Sequence, residues 1–230
     1  MNASLISLNV GQPQPLAYRG KHVQSSFRKS PVKEAEALWL GETGLEGDAQ
    51  ADLKNHGGPD KAVCVYSLEH YPYWSARLGR SLETGSFGEN FSTERLLEPE
   101  VCVGDVYQVD SAIVQVSQPR QPCFKMAARH GVKELAWWVQ EAGFTGFYFR
   151  CLEPGEVRAG SDIALLERSA AGVSVEEANR VMHHDKRDVA GIERLLAVPE
   201  LSSNWRRTFE KRLVDAREDA SPRLEGSEQA

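Results

Sequence analysis

The chain has 230 residues, 41% of them hydrophobic and 26% charged, with a net charge of -6. That is enough for one sizeable β or α+β domain, alone or with a small appendage. No run approaches the roughly 18 consecutive apolar residues of a membrane span, and the start of the chain lacks the basic flank and apolar core of an export signal, so the expected compartment is the cytoplasm with no membrane partner. The negative charge argues against a nucleic-acid duplex as partner, because such binding needs a basic face to displace counterions.

In chain order, short apolar or alternating runs bounded by glycine and proline predict strands at Leu5 to Val10, Ala62 to Tyr66, Val101 to Val109, Ile113 to Val116, Phe147 to Leu152 and Ile163 to Leu166. So many short strands favour a closed or strongly curved barrel, since long open edges invite aggregation. Two helices are expected between them. One has Ser67 as N-cap with Tyr71, Trp74 and Leu78 at helical spacing, and the other runs from about Val132 to Gln140. After Glu167 glycine becomes rare and charge increases. Ser174-Val175-Glu176-Glu177 has capping-box spacing, Ile192, Leu195 and Leu196 mark a second helix, and Trp205, Phe209 and Leu213 mark a third. The expected organisation is an α+β, predominantly β fold: a barrel over residues 1–168, a three-helix domain over 169–216, and a tail over 217–230 too polar to order.

The four cysteines, Cys64, Cys102, Cys123 and Cys151, are far apart in sequence and form no CxxC pair, so zinc-ribbon, iron–sulfur and thioredoxin-like sites are not indicated and free thiols are expected. Cys123 stands out because Ser117-Gln118-Pro119-Arg120-Gln121-Pro122-Cys123-Phe124-Lys125 carries two prolines that stiffen the backbone, and Arg120 and Lys125 would favour its thiolate. Free cysteines are nonetheless often simply buried core residues. Two glycine-rich segments, Gly44-Leu45-Glu46-Gly47-Asp48 and His56-Gly57-Gly58-Pro59-Asp60-Lys61, could let backbone amides approach an anion or could be ordinary turns. Phe87-Gly88-Glu89-Asn90-Phe91 is equally ambiguous alone.

The ordered set GLEGD, HGGPDKAV, FGEN, Gly104-Asp105 and SQPRxPCxK resembles the MOSC family, named for the C-terminal domain of molybdenum cofactor sulfurase. The segment 27–32 and the region 173–213 resemble its bacterial YiiM-type branch, in which a MOSC β-barrel precedes three helices. The resemblance implies a molybdenum cofactor (Mo-molybdopterin) with Cys123 as protein ligand to the metal, and the remaining cysteines read as core. It also implies reduction of N-hydroxylated compounds such as hydroxylamino purines. Gly57, Gly58, Lys61, Arg120 and Lys29 are then candidates for the cofactor's phosphate; His56, Asp60, Gly88, Glu89 and Asn90 are further cofactor-binding candidates, the last two at the pterin edge. Lys125 or His56 could supply the proton such a reduction needs. Trp205 and Phe209 are either core anchors or an aromatic face for a flat substrate. No dinucleotide or flavin motif is present, so electrons are expected from a separate flavin- or iron–sulfur-containing reductase. Other readings are a carrier of the molybdenum pterin or of sulfur through Cys123, and a thiol hydrolase pairing Cys123 with His56.

Overall fold

The computed structural model describes residues 3–33, 36–53, 55–214 and 221–225. Its strands are β1 (Ala3–Val10), β2 (Gln14–Tyr18), β3 (Lys21–Ser25), β4 (Ser30–Pro31), β5 (Ala37–Gly41), β6 (Gly44–Leu45), β7 (Val63–Ser67), β8 (Phe91–Glu94), β9 (Val106–Val109), β10 (Ala112–Pro119), β11 (Phe147–Glu153), β12 (Gly155–Arg158) and β13 (Asp162–Glu167). Its α-helices are α1 (Tyr71–Leu78), α2 (Phe124–His130), α3 (Leu135–Ala142), α4 (Val175–Asn179), α5 (Val189–Leu196), α6 (Ser203–Leu213) and α7 (Ser221–Glu225).

Seven strands close into a barrel in the order β13-β9-β10-β11-β7-β8-β1, with β1 returning to β13 through Ala3 opposite Ile163. A ring with an odd number of strands cannot alternate direction throughout, and among the described residues the parallel pair is β7 with β8. Closure leaves the barrel no open edge. Inward residues such as Leu5, Val65, Phe91, Val114 and Phe149 fill the interior and are fully buried. A three-stranded sheet of β12, β5 and β6 and the β2–β3 hairpin flank the barrel, and neither was evident from sequence pattern.

Several expected elements shift. The run Val101 to Val109 is a strand only from Val106, because the buried Asp105 carboxylate accepts from the amide of Cys102 at 2.8 Å and folds the stretch into a turn at Gly104, whose φ is 95°. Ser67 does not cap α1. Its hydroxyl bonds the Glu69 carboxylate, and a 3₁₀ turn over Leu68–His70 intervenes. Between Val116 and Gln118 the β10–β11 register slips, a bulge that turns Ser117 toward the carbonyl oxygens of Asp60 and Tyr148 and re-aims the chain leading to Cys123. The stiff loop ends sooner than expected, since α2 begins at Phe124 with Cys123 in the N-cap position.

The C-terminal helices build a second core around Val103, Val181, Ile192, Leu195, Trp205 and Phe209. Ser174 caps α4 as the sequence indicates, accepting from Glu177 N at 3.0 Å, and Ser202 caps α6. This core is bonded to the end of β10 that leads toward Cys123: Ser202 N donates to Ser117 O at 2.9 Å and Ser202 Oγ to Gln118 Oε1 at 2.8 Å. Of the tail expected to lack order, 217–220 and 226–230 lie outside the described residues, whereas Ser221–Glu225 forms a helical turn against α2. Among the described residues no helix is long and apolar enough to cross a membrane.

Candidate functional site

Residues 50, 56–57 and 61, the end of β3 with the segment after it, and the β10–α2 connection converge on an open cleft whose walls include Lys29, His56, Lys61, Arg120, Cys123 and Lys125. Four of those six side chains are cationic, in a protein that is negative overall. Gly57 also lines the cleft at φ 80°, and a Cβ there would meet Cγ of Gln50 at 2.9 Å. Only glycine fits that position without a shift.

Cys123 is 8% exposed, and its Sγ lies 3.7 Å from Nε2 of His56. Burial pushes the thiol up, but the hydrogen bond and charge of His56, the Arg120 guanidinium and the Lys125 amide outweigh it and bring the thiol down to about 6. His56 is pushed the other way: burial lowers its pKa, yet the hydrogen bond to Asp52 and the facing thiolate raise it on balance. Nδ1 of His56 is 3.3 Å from Asp52 Oδ2 and 3.4 Å from Lys125 Nζ. It cannot serve both. A protonated ring donates to Asp52, and Lys125 is then balanced by the same carboxylate at 3.8 Å. Asp52 itself is held well below the usual carboxylate range, chiefly by that His56 bond against the opposing effect of burial.

Arg120 is the second anchor. Arg120 lines the cleft; one nitrogen donates to Phe87 O, the guanidinium lies over the Phe27 ring, and Nη1 is buried without a hydrogen-bond partner. A buried, unpartnered cationic donor is costly unless an anion meets it. Lys61 donates to Asn55 O at 2.7 Å, with burial pushing its pKa down.

The structure therefore brings His56, Gly57, Lys61, Arg120, Cys123 and Lys125 together, with Gly88 and Asn90 on the same cleft. Other sequence candidates are committed elsewhere. Glu89 is fully buried and accepts from Gly85 N at 2.8 Å, Phe87 N at 3.0 Å, Ser92 Oγ at 2.9 Å and the Tyr71 hydroxyl, so it organises the loop and is not available at a pterin edge. The Asn90 amide donates to Asn9 O and Asp48 and accepts from Cys64 N, so its side chain is spent although it borders the cleft. Lys29 is ion-paired with buried Asp48, which compensates its charge. Asp60 turns away to Arg150 at 2.6 Å and to Ser203 N at 3.2 Å, tying the barrel to α6. Trp205 and Phe209 are fully buried, edge to face, in the helical core, and neither lines the cleft; they are core anchors, which removes the aromatic-platform reading.

Sequence reasoning missed Asp52, whose only signal is its spacing of four before His56, and it missed Tyr148. It also assigned Cys64 wholly to the core, whereas Cys64 is buried but touches the cleft, and Cys102 forms an isolated β-bridge with Ser174 just before the turn rather than lying within a strand. All four thiols are free. Among the described residues no group of three or more histidine, cysteine or carboxylate side chains is arranged to hold a metal ion.

Residues 52–164 match the MOSC domain family and residues 173–214 the YiiM-like 3-alpha helix domain family. The chain is 51% identical to the uncharacterized protein YflK of Bacillus subtilis, over 91% of this chain and 94% of that one. It is 40% identical to Protein YiiM of Escherichia coli, over 82% and 86% of the two chains. A protein of Gibberella moniliformis called "Reductase" is 35% identical over 144 residues, which make up 26% of its length. The crystal structure of YiiM from Geobacillus stearothermophilus superposes with a TM-score of 0.79 at 37% identity, covering 92% of this chain and 99% of that one. With both family models in chain order and this barrel-plus-helices fold, the chain belongs to the YiiM-type branch of the MOSC family.

Proposed function

We propose that the chain is a MOSC-type oxidoreductase that uses a molybdenum cofactor to reduce N-hydroxylated compounds, such as hydroxylamino purines, to amines. The observation that carries this reading is the pairing, in one cationic cleft, of a depressed thiol at Cys123 with the buried unpartnered Nη1 of Arg120. The donor set fits the group: a soft thiolate suits a thiolate-rich metal centre, and Arg120, Lys61 and the glycine backbone at Gly57 suit a phosphate. The likeness to a relative called "Reductase" supports the redox class.

When bound, the cofactor supplies an oxygen-accepting, two-electron redox centre. The net change is R–NHOH plus two electrons and two protons to R–NH2 and water. Cys123 presents its sulfur at the N-terminal edge of α2, and His56 holds that sulfur as thiolate through Nε2. Asp52 fixes the His56 ring through Nδ1 and balances the positive charge of Lys125. His56 and Lys125 are then the proton-bearing groups grouped around Cys123, and general-acid assistance of this kind is worth about 100-fold or more. Electrons come from a separate flavin or iron–sulfur reductase.

The test is reduction of 6-hydroxylaminopurine by cofactor-loaded protein with a chemical reductant. Turnover should fall in Cys123→Ala by more than the roughly 10–100-fold typical of lost outer-shell partners, and in Lys125→Met by about 100-fold. Equal rates in wild type and Cys123→Ala would sink the proposal. The line Asp52, His56, Cys123 also suits a thiol nucleophile. That second reading requires hydrolysis of activated esters by metal-free protein.

A further inference from the structure

The helix α7 lies 98 residues beyond Cys123 in sequence, yet it reaches the peptide unit that carries that cysteine. One guanidinium nitrogen of Arg223 donates to the carbonyl of Pro122. The other donates to Oε1 of Gln140 on α3 at 2.8 Å. Pro122 and Gln140 are both buried, so these acceptors have little access to water. Because Pro122 has no amide hydrogen, its carbonyl is the only polar group through which its backbone can be held. Fixing that carbonyl fixes the plane of the 122–123 peptide, and with φ of Cys123 set at -136° by the start of α2 the two together direct its Cβ. The far end of α7 is tethered as well, since Glu225 lies 3.6 Å from Arg19 at the tip of the β2–β3 hairpin. The neighbouring Tyr18 ring packs on Phe124, the first residue of α2, at 5.1 Å. The Arg223 charge also faces the buried His183 in the π-helical segment Arg180–His184, so the same side chain borders the helical core.

The geometry points to α7 as a strap across the cysteine loop, with Arg223 as a positioning residue that sets the orientation of Cys123. A planar guanidinium holds two acceptors on different elements in a fixed fork, whereas a lysine ammonium is a compact point charge on a flexible stem and fixes neither direction as firmly. The Arg19–Glu225 contact is exposed and contributes less, because solvent screens such pairs. Among the described residues, none of 223–225 lines the cleft itself. The strap's consequence for turnover rests on the proposed role of Cys123, while its structural content does not.

The experiment compares wild type, Arg223→Ala, Arg223→Lys and Arg19→Ala in the full chain. In metal-free protein, the iodoacetamide alkylation rate of Cys123 is followed by peptide mass spectrometry at one fixed pH, beside thermal melting. Arg223→Ala should alkylate about tenfold faster, the size expected for loss of a charge-assisted hydrogen bond, while staying folded across the assay. Arg223→Lys should be intermediate, and Arg19→Ala should match wild type. Equal alkylation in wild type and Arg223→Ala, or a faster rate explained by the unfolded fraction alone, overturns the strap. Failure of the molybdenum reading would appear separately, as absence of metal from wild type with the alkylation series unchanged.

Discussion

At Cys123, burial and charge oppose each other and charge wins, so ionisation is the property to measure. In metal-free protein the alkylation rate of Cys123 should rise with pH and level off, with its midpoint near 6, well below that of an ordinary thiol. A depressed thiol pKa means that the thiolate is present above the midpoint and lost as pH falls through it. In His56→Ala the burial penalty remains while the hydrogen bond and charge vanish, so the midpoint should move upward. A midpoint unmoved by this substitution would remove His56 from the account. Glu89 makes the opposite kind of prediction. Four donors converge on this buried carboxylate, and Glu89→Ala should cost about 3 kcal/mol or more in urea unfolding, because those donors are left unpaired. Full stability with loss of the cofactor alone would instead return Glu89 to the pterin edge. Sequence reading picked Cys123 from its stiff, basic, proline-rich neighbourhood. It placed Glu89 at the pterin edge because a carboxylate pairs well with adjacent N–H groups, and nothing local in sequence shows that the N–H groups it meets are the backbone amides of Gly85 and Phe87.

Among the elements, strands with inward apolar alternation and helices with ordinary caps were legible, because both signals are local. The α4 cap at Ser174 and the Trp205–Phe209 face of α6 are examples. The β5–β12 pairing was not, since Leu40 meets Gly155 only through a contact more than a hundred residues apart. The start of α2 was not legible either: cysteine is no capping residue, and its side chain makes no cap bond. Trp205 separates packing from catalysis. Trp205→Ala should destabilise the protein by about 3–5 kcal/mol and leave turnover per folded molecule unchanged. Intact melting with impaired turnover would contradict its place in the helical core.

For the whole molecule, the barrel and helical cores are distinct but stitched together by Ser202 on β10, by Asn179 on Thr145 and by Asp60 on Ser203. The two cores should therefore unfold together. Urea curves read by tryptophan fluorescence and by far-ultraviolet dichroism should coincide, and two separated transitions would show that the stitching is weak. Net charge and composition indicated nothing of the cationic cleft, because a -6 chain gathers four cationic side chains there only through folding. The central claim is that this cleft holds molybdenum through Cys123. The most direct test is molybdenum content by mass spectrometry, with pterin fluorescence of the extract, on protein from a cofactor-competent host beside Cys123→Ala. The account predicts near-stoichiometric molybdenum and pterin in the wild type and a marked loss of metal in the variant. Folded wild-type protein free of both, from a host that loads a control molybdenum enzyme, would contradict it.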